Sequence, residues 1–304
     1  MTRFSFIRAA AITAAGLALA ACGAPSEPTG ALPPPYPVTV AGAGEAPTSL
    51  EQQPERIVAL DAGSAELIAE IGNRDQLVGA PSGVQLGEGP RPAVVLNDSG
   101  QIDVEEIIRL KPDLIVATPD TDPVELAQIE RRARAPVYLQ PSRTIEAVQQ
   151  AAIELGFLLG HPAEGRQLAG SLQEQTDAVL RRLEGVRQKS VFVDTGFFIT
   201  ISDRSLLGDL VRKAKGTNIA GDYAGLGPYP SARLRRANPD VYLATSDSDV
   251  TLAGLRDDPK TARLRAVRRG DVAVVPVELV TRPGPNVARG LEAVAVAIHP
   301  DAFR

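Results

Sequence analysis

The 304-residue chain contains one cysteine, no tryptophan, one methionine and two histidines. A single thiol rules out disulfide staples and paired-thiolate metal sites, so the folded body must be held by its core. Two histidines are too few for a cleft that grips a free transition-metal ion. Both, His161 and His299, stand directly before prolines at predicted helix ends, where surface turn residues are expected. Neither falls in a predicted strand-end loop, and Gly221 to Gly227 lacks the strand-then-helix setting of a phosphate loop, so no catalytic residues are expected. The formal net charge of −5 becomes more negative if Arg3 and Arg8 are removed with a leader, which argues against nucleic acid as a partner. No apolar run after residue 21 approaches membrane-spanning length.

What is present begins at the amino terminus. Arg3 and Arg8 precede an apolar run from Ala9 to Ala21, too short for a membrane span, and Leu19-Ala20-Ala21-Cys22 ends it with small residues before the only cysteine. This pattern predicts a lipoprotein signal over residues 1–21, with Cys22 as the lipidation site. Residues 22–46 are rich in proline, with Pro25, Pro28, Pro33, Pro34, Pro35 and Pro37, and read as an extended spacer. The expected location is outside the cytoplasm, tethered to the cell membrane through the lipid.

The body alternates short β-branched runs with helical patterns. Arg56–Leu60, Leu77–Gly79, Leu114–Ala117 and Val137–Leu139 read as buried parallel strands, with helices from Ser64 to Ile71 and from Val104 to Leu110. A second series, Val191–Val193, Val241–Ala244 and Val272–Val275, predicts a second α/β lobe. Between them, Leu168, Leu172, Val179, Leu183 and Val186 recur at helical spacing from Pro162 to about Arg187. The expected fold is α/β: two Rossmann-like lobes, 47–160 and 189–304, bridged by one long helix within 161–188, with a ligand cleft between them. Such a bridge limits the cleft to modest closure.

Pro54–Leu60 with Ser64–Ile68, Val104–Ile115, Gly216–Ala220, Ala237–Leu243, and Arg282–Pro285 with Gly290–Ala293 follow one another in an order that resembles the ABC-transporter binding proteins for siderophores, cobalamin and haem. The resemblance implies a metal-chelate ligand held between the lobes, no resident cofactor and a monomer that delivers its ligand to the transmembrane subunits of an ABC permease. It also implies that Glu105 pairs with permease arginines. At the matching C-lobe place stands Ala232, followed by Arg233, Arg235 and Arg236. A ligand-sensing or scaffold lipoprotein without a transport role is the alternative reading.

In doubly wound lobes the ligand lies beyond the carboxyl ends of the strands. The loops there supply Ser64, Ser82, Ser99, Thr118 and Asp120 from the first lobe, and Phe197, Phe198, Tyr223, Tyr229, Ser246 and Arg282 from the second. The four aromatics suit a flat chelate face, and either tyrosine could ligate a haem iron. Arg282 offers a bidentate donor for carboxylate, phosphate or hydroxamate oxygens. Relatives often carry an aromatic or an arginine in the loop before the helix at Val104, where this chain has Asn97, Asp98 and Ser99.

Overall fold

Parallel strands that alternate buried faces organise the molecule. The computed structural model describes residues 36–304 apart from Asp98, Ala224 and Leu226, so the predicted signal, Cys22 and most of the spacer lie outside the described residues. Strand β1 (Val38–Val40) pairs antiparallel with β2 (Thr48–Leu50). Val38, Val40 and Leu50 are buried while Thr39 and Ser49 face outward. The 22–46 spacer therefore ends early, a correction to the sequence reading. From Tyr36 the chain is anchored: the Tyr36 hydroxyl donates to Leu158 O, and Gly42 N donates to the buried Glu154 carboxylate. The hairpin leaves little sequence signal because hydroxyl residues interrupt both of its strands, Val38-Thr39-Val40 and Thr48-Ser49-Leu50.

The first lobe runs β3 (Ile57–Ala59), α1 (Ala62–Ile71), β4 (Leu77–Pro81), β5 (Ala93–Leu96), α2 (Val104–Leu110), β6 (Leu114–Ala117), α3 (Pro123–Ala133), β7 (Val137–Leu139) and α4 (Ile145–Leu158). Its strands form a parallel sheet in the order β5-β4-β3-β6-β7. The two-residue period sends Ile57, Ala59, Leu114 and Val116 to one face and Val58, Leu60, Ile115 and Ala117 to the other. Both faces are covered by helices, hence the near-continuous apolar runs.

Helix α5 (Pro162–Arg182) leads from this lobe into the second. It is shorter than the predicted span to Arg187, because the chain turns at Leu183 and Gly185 adopts φ +72°. At 1.5 Å per residue it is about 31 Å long. Gly165 and Gly156 let α5 and α4 cross closely: a Cβ at Gly165 would lie 2.5 Å from Ala152 O. The second lobe follows as β8 (Lys189–Asp194), α6 (Leu206–Lys213), β9 (Gly216–Asn218), α7 (Ser231–Ala237), β10 (Val241–Thr245), α8 (Leu252–Asp257), α9 (Arg265–Arg269), β11 (Val272–Val275), α10 (Val277–Thr281) and α11 (Val287–Ile298). Its parallel sheet has the order β11-β10-β8-β9. Phe192 and Tyr242 pack beneath α7, α8 and α9, while Val191, Val193 and Leu243 join a cluster that continues through Leu172 and Val179 of α5 to Ile57 and Leu67. One apolar core thus runs through both lobes. No helix among the described residues is long and apolar enough to cross a membrane. His299 is buried at the end of α11 rather than a surface turn residue, and burial lowers its pKa.

Candidate functional site

Segments beyond the carboxyl ends of the two sheets meet at Pro283, between α10 and α11. Gln140, just past β7, donates from Nε2 to Pro283 O at 2.7 Å, and Gly63 in the first turn of α1 lies so close that a Cβ there would sit 2.7 Å from the Pro283 carbonyl carbon. Beside this contact Arg282 pairs with Glu66 at 3.1 Å across the lobes. Burial lifts the Glu66 carboxyl above its ordinary pKa, and Arg282 and Asn286 pull it back in part. Around this pair opens a cavity of about 600 Å³, lined by Glu66, Glu70 and Gln85 from the first lobe and by Glu278, Arg282 and Arg289 from the second. Further contacts hold the lobes together away from the cavity: Asp209 accepts from Ile145 N at 3.1 Å, and Lys213 is paired with Glu146.

At the end of β8 the backbone makes an unusual turn. Phe197 and Phe198 both adopt positive φ, 53° and 63°, a region that disfavours side chains with a Cβ. Asp194 enforces it: Oδ1 accepts from Gly196 N at 2.8 Å and Phe198 N at 3.0 Å, while Oδ2 accepts from the buried Tyr242 hydroxyl at 2.5 Å. Burial raises the Asp194 pKa despite these three hydrogen bonds. The turn closes with Thr195 N to Ile199 O at 2.8 Å. Its effect is to hold Phe197 outward, 85 % exposed, while Phe198 is half-buried with Lys260 above its ring. A large apolar ring kept in solvent by a strained backbone has no folding role that would explain it.

Three residues expected at the ligand, Ser64, Thr118 and Tyr229, are buried. Ser64 is fully buried, its hydroxyl set between Asp61 and Gln140. Tyr229 packs against Phe192 and Tyr223 and donates its hydroxyl to Ile219 O, so its ring and hydroxyl are engaged within the second lobe. Thr118 is also buried, 7 % exposed. Arg282 is not a free guanidinium, since Glu66 occupies it. Tyr223 is half-buried and donates to Pro228 O. Ser82 directly follows β4, with its N donating to Leu96 O. Ser99 is exposed in a turn folded on the Asn97 side chain. Asp120 pairs with Arg143, and Ser246 accepts from Val277 N at 3.0 Å. Sequence reasoning missed the supports Asp61, Glu66, Gln140 and Asp194. Asp61 could have been found as the helix N-cap before Ala62 and Asp194 as the acceptor of the turn that follows it, whereas the partners of Glu66 and Gln140 are distant in sequence.

A model of the family described as periplasmic binding protein matches residues 57–279. The chain belongs to the periplasmic binding protein family. The two-lobed fold expected from its resemblance to ABC-transporter binding proteins is that of this family. The relatives include an ABC transporter substrate-binding lipoprotein of Bacillus subtilis described as uncharacterised, YvrC, 24 % identical with 97 % of each chain covered. A cobalamin-binding protein of Halobacterium salinarum is 22 % identical over 87 % of this chain and 74 % of its own. Among solved structures, the periplasmic haem-binding protein RhuT of Roseiflexus superposes with a TM-score of 0.70 at 22 % identity, covering 82 % of this chain and 99 % of that one. In this binding protein, Glu105 is exposed in the first turn of α2 and bonded to Arg132, and Ala232 is exposed in the first turn of α7 beside Arg233, Arg235 and Arg236.

Proposed function

We propose that this chain is an extracytoplasmic lipoprotein that captures a metal chelate, of the cobalamin or iron-siderophore type, and hands it to an ABC importer. The exposed Phe197, held out by Asp194 at the carboxyl end of β8, carries the reading, because a flat ring presented to solvent fits the apolar face of a large chelate. The cobalamin and haem ligands named for relatives support the class. Membrane attachment through Cys22 is part of the proposal, and a Cys22→Ser variant that still partitions into detergent like wild type after its leader has been cleaved would remove it.

Quenching of tyrosine emission by cobalamin, haemin, ferric hydroxamates and ferric catecholates tests the ligand class, and failure of all four would overturn it. Phe197→Gly sharpens the test. Glycine relieves the left-handed strain at a site where no burial is lost, so stability is expected to hold or rise by about 0.5–1 kcal/mol. Losing the ring from a bound face is expected to weaken ligand about 10- to 30-fold. Binding as tight as wild type would release Phe197 from the site.

Docking on the permease is proposed to be lopsided, with Glu105 acting for the first lobe and arginines surrounding Ala232 on the second. Glu105→Arg is expected to cut uptake through the cognate permease while leaving affinity in solution unchanged. Undiminished uptake would remove the assignment.

A further inference from the structure

The hydrogen bonds joining the lobes at Pro283 form a chain whose protons can be counted. Gln140 Nε2 donates to Pro283 O, a carbonyl that can only accept, so the Gln140 amide cannot be turned round. Its Oε1 then faces Ser64 Oγ at 2.8 Å, and the proton in that contact must come from Ser64. Ser64 has one hydroxyl proton. Its Oγ also lies 2.5 Å from Asp61 Oδ2, where a proton is again needed, and only the carboxyl is left to supply it. Asp61 Oδ1 has a separate duty, accepting from Ser64 N at 2.9 Å as the cap of α1. We propose that Asp61 is a positioning residue of the cleft that carries a proton on Oδ2 while the lobes are joined, completing a relay through Ser64 and Gln140 to Pro283.

Loss of that proton obliges Ser64 to turn its hydroxyl to the carboxylate. Gln140 Oε1, fully buried, then has no donor, and the tie to the second lobe weakens. The surroundings favour the protonated form. Burial pushes the Asp61 carboxyl up to about 6, against the pull of hydrogen bonds from Ser64 and Gly63, and the nearby Glu66 adds to the upward push. Arg282, from the second lobe, is occupied by Glu66. Because the folded protein keeps this proton where the unfolded chain has lost it, the tie contributes fully below about pH 4 and is lost as pH rises through about 6.

The inference rests on the two-lobed binding reading only in placing the relay at the cleft, and its test uses no ligand, so the two can fail separately. Thermal unfolding of the mature chain is measured at pH 5 and pH 8, for wild type and Asp61→Asn. Asparagine keeps the cap and offers a permanent Nδ2 donor to Ser64. Wild type is expected to lose roughly 3–5 °C more than Asp61→Asn over this interval. Difference infrared spectra are expected to show a protonated-carboxyl band in wild type at pH 5 that is lost at pH 8 and missing from Asp61→Asn. Gln140→Leu gives a second arm: with no Oε1 to serve, Ser64 donates to Asp61 at every pH, and the slope flattens. A residue with a purely structural role would lower every melting point without changing the slope. Parallel pH profiles for wild type and Asp61→Asn, or a Gln140→Leu profile as steep as wild type, would overturn the proposal.

Discussion

Gly63→Ala is expected to destabilise the protein by roughly 2–4 kcal/mol, although alanine is the better helix former by about 1 kcal/mol. Gly63 lies in the first turn of α1, where its backbone meets that of Pro283 from the other lobe, and a Cβ would fall within 2.9 Å of the Pro283 N, C and O atoms. Backbone cannot swing aside as a flexible side chain can. The lobes would have to part, and the hydrogen bond from Gln140 to Pro283 O would lengthen with them. Chemical denaturation should show a fall in midpoint at an unchanged m-value. A midpoint equal to or above wild type would mean that the lobes do not meet at this contact.

Asp194→Ala is expected to cost about 3–5 kcal/mol, since it strips the acceptor from Gly196 N, Phe198 N and the buried Tyr242 hydroxyl together. The backbone amides can reach water once the turn relaxes, but the Tyr242 hydroxyl inside the sheet cannot. Asp194→Asn keeps an acceptor at Oδ1, and the Tyr242 hydroxyl can accept from its amide, so its cost is expected to be about 1–2 kcal/mol. The alanine variant also lets Phe197 leave its outward pose, so ligand affinity is expected to fall by up to as much as in Phe197→Gly. Equal stability of the alanine and asparagine variants would show that the turn does not depend on the carboxylate.

The parts of the fold that were legible are those where periodicity and length agree. Strands β3, β6, β7 and β10 announced themselves as apolar runs of three to five residues because helices cover both faces of their sheets. Strand β9 reads Gly216-Thr217-Asn218 and carries no apolar signal, because backbone pairing with β8 alone makes it a strand. At the site, the loops could be named from strand ends, but the direction of each side chain could not. Ser64 sits in the first turn of α1 and Tyr229 in a loop, and both turn inward, one to complete a relay and the other to fill the layer beneath α7. Nothing in the sequence marks Glu66 as a lobe-joining carboxylate, since its partner Arg282 lies 216 positions along the chain.

The apolar cluster that passes through α5 from one sheet to the other bears on how the chain can be divided. Leu172 and Val179 belong to neither half alone, so a chain cut near His161 would leave each fragment with an open seam of apolar surface. The halves resemble one another in architecture but are not separable parts. Swapping a C-lobe from another binding protein onto this N-lobe would therefore have to carry α5 and its contacts along, whereas exchanging the turn tip at Phe197 would disturb only a solvent-facing ring.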